Sequence, residues 1–233
     1  MFSSPLRRSA FGYPPLPPAA DKPIVCYVTD RKAIGSGDAI QNVTERIRLA
    51  AAAGAHWVQI REKDLGAKEL LALVMQAMAH ITAKVIVNDR LDVALAAGAA
   101  GVHLGRESAP VAEVSRWCRA GSAPAEFLIG ISCHSLEDAR EAEAEGASYV
   151  FFGPVFETPS KRLFGPPQGI SRLTEVCRQV QIPVIAIGGV DQKNAADCLR
   201  AGAAGIAAIR LFQEGVDAEV LRDRMKRLHG EGQ

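Results

Sequence analysis

From Pro23 onward two hydrophobic patterns alternate along the chain. One is a short, nearly uninterrupted run of β-branched and apolar residues, such as IVCYVT or KVIVN. The other is an Ala/Leu/Glu-rich segment whose apolar positions recur every three to four residues, as in AKELLALVMQAMAH. The first pattern predicts strands and the second amphipathic helices. Strands are predicted over Ile24–Thr29, Trp57–Arg61, Lys84–Asn88, Gly101–Leu104, Phe127–Ser132, Tyr149–Gly153, Pro183–Gly188 and Gly205–Ile209. Helices are predicted over Ala39–Ala53, Ala67–His80, Leu91–Ala97, Pro110–Arg119, Leu136–Glu145, Ile170–Gln179, Gln192–Ala201 and Asp217–Leu228. Strands without alternation suit a parallel sheet covered by helices, and a regular repeat of about 25 residues suits a closed (β/α)8 TIM barrel, an α/β fold in a single domain. The segments AAAGAHWV, LAAGAAGV, EAEGASYV and LRAGAAGI each put a glycine where a helix gives way to the next strand. An open doubly wound sheet fits less well, because no GxGxxG opens a helix after the first strand.

Composition narrows this picture. With 233 residues, 48% of them hydrophobic, the chain suffices for one large core. The barrel is assigned to 23–233. Residues 1–22 are read as a flexible Pro-rich arm, since prolines interrupt everything after Arg7 and Arg8 and no apolar signal core follows. A formal charge of +1 gives no electrostatic ground for nucleic acid or an anionic membrane as partner. Five scattered cysteines without a CxxC pair argue against a disulfide framework or zinc site and favour the reducing cytoplasm. No apolar run approaches the roughly 20 residues of a membrane span. Oligomeric state is left open, a homo-oligomer included.

In such barrels the chemistry lies where the strands end. There the sequence places Gln59, Arg61, Glu62 and Lys63 after strand two, Asn88 and Asp89 after three, and His103 and Arg106 after four. Ser132 and His134 follow strand five, the long segment GPVFETPSKRLFGPPQG strand six, Gly188 and Gly189 strand seven, and Arg210 strand eight. The glycines after strand seven and the segment after strand eight are the pair of elements that commonly bind phosphate, although the glycines could serve only a tight turn. Arg61 and Lys63, two apart at a strand end, can point the same way and hold a diphosphate; alternatively Glu62 and Asp64 neutralise them. Asp89 could hold Mg²⁺ or cap the helix starting near Leu91. His134 could carry a proton or merely orient a ligand, with Ser135 as the helix cap, while His56, His80 and His229 read as structural or exposed.

Taken together, YVTDR, QIREKD, NDRLDVALAAGAAGVHLG, GISCHSLEDA, GPVFETPSK, QGIS and PVIAIGG, in this order between Ile24 and Ile209, resemble the thiamine phosphate synthases and their relatives, the thiazole tautomerases. The resemblance implies a (β/α)8 barrel that joins hydroxymethylpyrimidine diphosphate to a thiazole phosphate, with release of diphosphate and Mg²⁺ as cofactor. It implies that Gln59, Arg61, Lys63, Asn88, Ser132 and Lys161 hold the pyrimidine substrate, with Lys63, Ser132 and Lys161 also taking part in catalysis. Thr158, Ser160, Gly188, Gly189 and backbone near Ile209 are implied to hold the thiazole phosphate, and Asp89 the metal.

Three features depart from the family pattern. After HLG the synthases commonly carry an aspartate as second metal ligand, but this chain reads GRES, giving Arg106 and Ser108; Arg106 is expected to supply positive charge near the diphosphate. Arg210 stands where a small hydroxyl residue is usual and could clamp the phosphate. RLFGPP lengthens the connection after strand six and reads as a stiff lid around Phe164. Through VFET and CHSLEDA the chain also resembles the tautomerases, in which a histidine at the position of His134 assists proton transfer. The alternatives to a synthase are thus such a tautomerase or a non-catalytic thiamine-precursor-binding protein.

Overall fold

The computed structural model describes residues 22–35, 37–158, 166–214 and 217–228. Eight parallel strands close into a barrel in sequence order: β1 Ile24–Val28, β2 Trp57–Ile60, β3 Lys84–Asn88, β4 Gly101–Leu104, β5 Leu128–Cys133, β6 Tyr149–Phe152, β7 Val184–Ile187 and β8 Gly205–Ala208. Closure is made by β1 on β8, with Cys26 opposite Ala207. The helices are α1 Ala39–Ala52, α2 Ala67–His80, α3 Leu91–Ala97, α4 Val111–Trp117, α5 Leu136–Glu145, α6 Gly169–Gln179, α7 Ala195–Arg200, α8 Arg210–Gln213 and α9 Ala218–Leu228. The expected fold class is therefore the observed one, and each predicted strand and helix is found with its ends moved by a few residues.

Three short elements go beyond the prediction, a 3₁₀ turn at Arg31–Ala33, a π-helical turn at Cys118–Ser122 and α8. At three to five residues, none is long enough to show a helical period. The glycines of the four AGA junctions all take the left-handed conformation that ends a helix, with φ of 111° at Gly54, 68° at Gly98, 96° at Gly146 and 101° at Gly202. The arm assigned to residues 1–22 lies outside the described residues except for Lys22. Among the described residues no helix is long and apolar enough to cross a membrane.

Two cores follow from the alternation of side chains along each strand. Outward-facing residues such as Val25, Val58, Val87 and Val150 pack against the helices, while Cys26, Trp57, Ile86, Leu128, Tyr149, Phe151, Ile185 and Ala207 fill the barrel. The next inward-facing level, toward the C-terminal ends, changes character: it holds Gln59, Asn88, His103 and Ser132. Gln59, Asn88 and His103 are buried and Ser132 is half-buried. Polar groups with this little solvent require hydrogen-bond partners, and their pairing shapes the mouth of the barrel.

Candidate active site

Two hydrogen-bonded chains cross this polar level. In the first, Gln59 Nε2 donates to Asn88 Oδ1 at 3.0 Å, and Asn88 Nδ2 donates to Asp89 Oδ2 at 2.7 Å. Lys63 Nζ lies 3.5 Å from the same Asp89 oxygen. Asp89 Oδ1 accepts from the Ser108 hydroxyl and from Gly105 N–H at 3.2 Å. Burial raises the Asp89 carboxyl, but Ser108, Lys63, Gly105 and Asn88 together outweigh it and hold the group below the usual carboxylate range. In the second chain, Tyr149 Oη is 3.2 Å from His103 Nδ1, and His103 Nε2 is 3.0 Å from Ser132 Oγ. Burial above all keeps His103 neutral, its pKa lowered to about 3, with Asp89 pulling it up and Arg61 pushing it down.

The two readings of Asp89 left open by the sequence are separated by these contacts. Helix α3 begins at Leu91 with Arg90 as its cap residue and no side-chain cap bond, so Asp89 does not cap it. Its backbone sits at φ 60°, a conformation uncommon for a non-glycine residue and one that aspartate tolerates better than most. The side chain is thereby turned toward Lys63 and the GRES turn, and Ser108 occupies the place expected for a second carboxylate. Ser108 is itself fixed by Gly105 N–H, 2.7 Å from its hydroxyl. Arg106 is exposed on the same turn.

Glu62 and Asp64 do not neutralise Arg61 and Lys63. Glu62, 5% exposed, accepts from Thr29 Oγ1 at 2.6 Å, Arg31 N at 3.1 Å and Arg31 Nη1 at 2.9 Å. Asp64 takes the other edge of the Arg31 guanidinium at 2.6 and 2.8 Å and pairs with Lys32 at 2.9 Å. Thr29 Oγ1 also accepts from Arg61 N–H at 2.9 Å. The two acids therefore tie the loop after β2 to the loop after β1, and leave Lys63 to pair with Asp89 at the mouth. Thr29, Arg31 and Tyr149 were not singled out as site residues from the sequence. The period-2 pattern of β6, with Tyr149 and Phe151 on one face, carried a signal for the last of them.

On the other side of the mouth, Ser135 caps α5 as expected and forms a reciprocal pair with Asp138. His134 Nδ1 is bonded to the Gly153 carbonyl. That bond orients the ring and, in the neutral form, leaves the Nε2 lone pair free. Gly188 and Gly189, at φ 91° and 69°, do more than turn the chain. A Cβ on Gly188 would lie 2.5 Å from Pro154 Cα, and one on Gly189 2.7 Å from Phe156 Cβ. These glycines let the segment after β6 cross the end of β7, where Val155 N and Phe156 N each donate at 2.9 Å, to Ile187 O and Gly188 O. Gln168 N and Gly169 N then return to Pro154 O and Val155 O at 2.8 and 3.0 Å. The long segment thus leaves and rejoins the barrel through one pinned neck.

Thr158 is half-buried just beyond that neck, while Ser160, Lys161 and the lid expected around Phe164 lie outside the described residues. Ile209 is the cap residue of α8, and Arg210 begins that helix with its Nε 3.7 Å from Glu214 Oε1. His56 is structural, its Nδ1 accepting from Val25 N–H at 3.2 Å.

The pattern of these residues recurs in known proteins. The family model described as thiamine monophosphate synthase matches residues 25–212. A thiamine-phosphate synthase of Methanoculleus marisnigri is 44% identical over 88% of this chain and 97% of its own length. One of Roseiflexus sp. (strain RS-1) is 41% identical over 88% of this chain and 84% of its own. The solved structure of a thiamine phosphate pyrophosphorylase from Pyrococcus furiosus superposes with a TM-score of 0.76 at 31% identity, covering 91% of this chain and 97% of that one. With the match running from the second residue of β1 into α8 and so taking in every strand whose end supplies the mouth, the chain belongs to the thiamine monophosphate synthase family.

Proposed function

We propose that this chain couples hydroxymethylpyrimidine diphosphate to a thiazole phosphate, giving thiamine phosphate and diphosphate. The observation that carries the reading is the Lys63–Asp89 pair held beside the Gln59–Asn88 amide pair at the barrel mouth. Amide groups in such a place can read the amino and ring-nitrogen edge of a pyrimidine, while the cations next to them meet its diphosphate. In the reaction the methylene C–O bond breaks, its electron pair leaving with diphosphate, and the thiazole nitrogen lone pair forms the new C–N bond. Arg61, Lys63 and Arg106 supply positive charge toward the leaving group, with Lys161 as a further candidate. Ser132 and the amides orient the pyrimidine. Gly188, Gly189, Ile209 and Arg210, with Thr158 and Ser160, are assigned to the thiazole phosphate, because the ends of β7 and β8 and the short α8 form the kind of element that holds phosphate in these barrels.

Magnesium fits the donor set at Asp89. Among the described residues no three His, Cys, Asp or Glu side chains gather as a metal cage, but Mg²⁺ commonly uses one or two carboxylates, several waters and substrate phosphates. Asp89, with the Ser108 hydroxyl against it, offers hard oxygen donors, and the half-exposed Lys63 is the partner most easily displaced. When bound there, the ion would neutralise charge on the departing diphosphate.

The test supplies purified protein with both substrates and Mg²⁺ and follows diphosphate release. Coupling that falls by at least about a hundredfold in Lys63→Ala and in Asp89→Ala supports the reading, since loss of one charge-stabilising group commonly costs that much. Isomerisation of a thiazole carboxylate phosphate that requires His134, without coupling, would establish the tautomerase instead. Binding of both ligands without turnover would establish a binding protein.

A further inference from the structure

We infer that Tyr149, from inside the barrel, sets the direction of the Tyr149–His103–Ser132 chain: the phenol donates to His103 Nδ1, His103 Nε2–H donates to Ser132 Oγ, and the Ser132 proton is left to donate to a bound ligand. The opposite direction would have Nδ1–H donating to the phenol oxygen and the serine hydroxyl donating to Nε2, at the same distances of 3.2 and 3.0 Å. The two differ in what becomes of the phenol hydrogen.

Tyr149 is 0% and His103 2% exposed. The tyrosine ring is enclosed by the edge of Trp57 at 4.8 Å, by Phe151 at 5.5 Å and by His103. Its hydroxyl has no second hydrogen-bond partner among the described residues, and the nearby Cys26 thiol donates elsewhere, to Tyr27 O. In the opposite direction the buried O–H would find no acceptor, a loss that folded proteins avoid. Burial also holds the Tyr149 pKa well above its usual 10, so the proton is present throughout the working range. A charged ring, donating from both nitrogens, would leave that hydrogen equally without an acceptor, so His103 receives it as neutral imidazole.

The consequence is chemical. A serine beside a histidine at a barrel mouth suggests a nucleophile with its base, but a base needs a lone pair on the nitrogen facing the serine. Here that nitrogen carries the hydrogen. Ser132 is instead a donor, suited to a ring nitrogen or an oxygen of the ligand, and Tyr149 is a positioning residue that acts through His103. The direction of the chain stands apart from the function proposed above; only the identity of the ligand rests on it.

Long-range ¹H–¹⁵N correlation of the imidazole rings tests the direction, with the His103 signals assigned by their loss in His103→Gln. The expected wild-type spectrum shows the Nε2–H tautomer at every pH between about 5 and 8. Tyr149→Phe, which strips the donor from Nδ1, is expected to shift the Nδ1 resonance and to weaken binding of hydroxymethylpyrimidine diphosphate about tenfold, with thiazole phosphate affinity held within about twofold. An Nδ1–H tautomer in the wild-type protein overturns the inference, and so does a Tyr149→Phe protein with unaltered Nδ1 resonance and affinity. A wild-type protein that binds neither substrate refutes the proposed function, and its ring spectrum still decides the direction of the chain.

Discussion

Glu62 shows how much of a site can depend on a residue that faces away from it. Its carboxylate is buried beneath the loop after β2 and is met by three donors from the loop after β1. The Thr29 hydroxyl, which gives its proton to Glu62, takes the N–H of Arg61. Fixing these backbones fixes where Arg61 and Lys63 leave the strand. Glu62→Gln removes the charge under these bonds, and hydrogen bonds to a charged group contribute about 1.5–3 kcal/mol each. The substitution is expected to lower the unfolding free energy by roughly that amount, because Arg31 keeps its second partner in Asp64. Urea unfolding with an unchanged m-value would register it. An unfolding midpoint equal to wild type would show that the carboxylate does not hold the loops together.

At the scale of elements, the neck between β6 and β7 borders the side of the mouth proposed for the thiazole phosphate. Phe156 and Glu157 lie so close over Gly189 that a methyl group there would come within 2.7 Å of Phe156 Cβ and 2.6 Å of Glu157 O. Gly189 also works at positive φ, where alanine is strained. Gly189→Ala is therefore expected to cost about 1–3 kcal/mol and to raise KM for the thiazole phosphate while sparing that for the pyrimidine substrate. Steady-state kinetics with each substrate varied in turn checks this. Equal effects on both KM values would detach the neck from the phosphate side. The length of the segment after β6 raised the expectation of a functional role, but its neck was not legible. Nothing local in PVF announces that its N–H groups continue the edge of β7, since that pairing joins residues more than thirty positions apart.

Across the whole molecule, burial sets the response to alkali. The Cys26, Cys133 and Cys198 thiols are each pushed up to about 12 by burial, and Cys177 to about 11. A group whose pKa is raised on folding contributes stability that is fully present below its unfolded value, about 8.5 for cysteine, and is lost as pH rises toward the folded value. Between those limits each buried thiol forfeits about 1.4 kcal/mol per pH unit. The unfolding free energy is thus expected to drop steeply between about pH 8.5 and 12, with Cys26→Ala showing a shallower fall. Urea titrations at pH 7.5 and 10 with equal midpoints would contradict it.

By itself the sequence determined the barrel. Unbroken apolar runs, helical periods between them and glycine at the returns are local patterns, and eight such strands at a regular spacing, with no GxGxxG after the first, suit a closed barrel better than an open doubly wound sheet. It also determined which polar residues reach the C-terminal rim, because a strand end carries its side chains there whatever the neighbours are. The tertiary structure alone decided what those residues do to one another. The carboxylates of Glu62 and Asp64 sit next to Arg61 and Lys63 in sequence yet bind Arg31 and Lys32. Asp89 turns from capping a helix to meeting Lys63 and Ser108. His103 takes its orientation from Tyr149, 46 positions away. The reason is physical: hydrophobic periodicity is written within one element, whereas the pairing of charges and hydrogen-bond donors depends on distances that exist only once the barrel has closed.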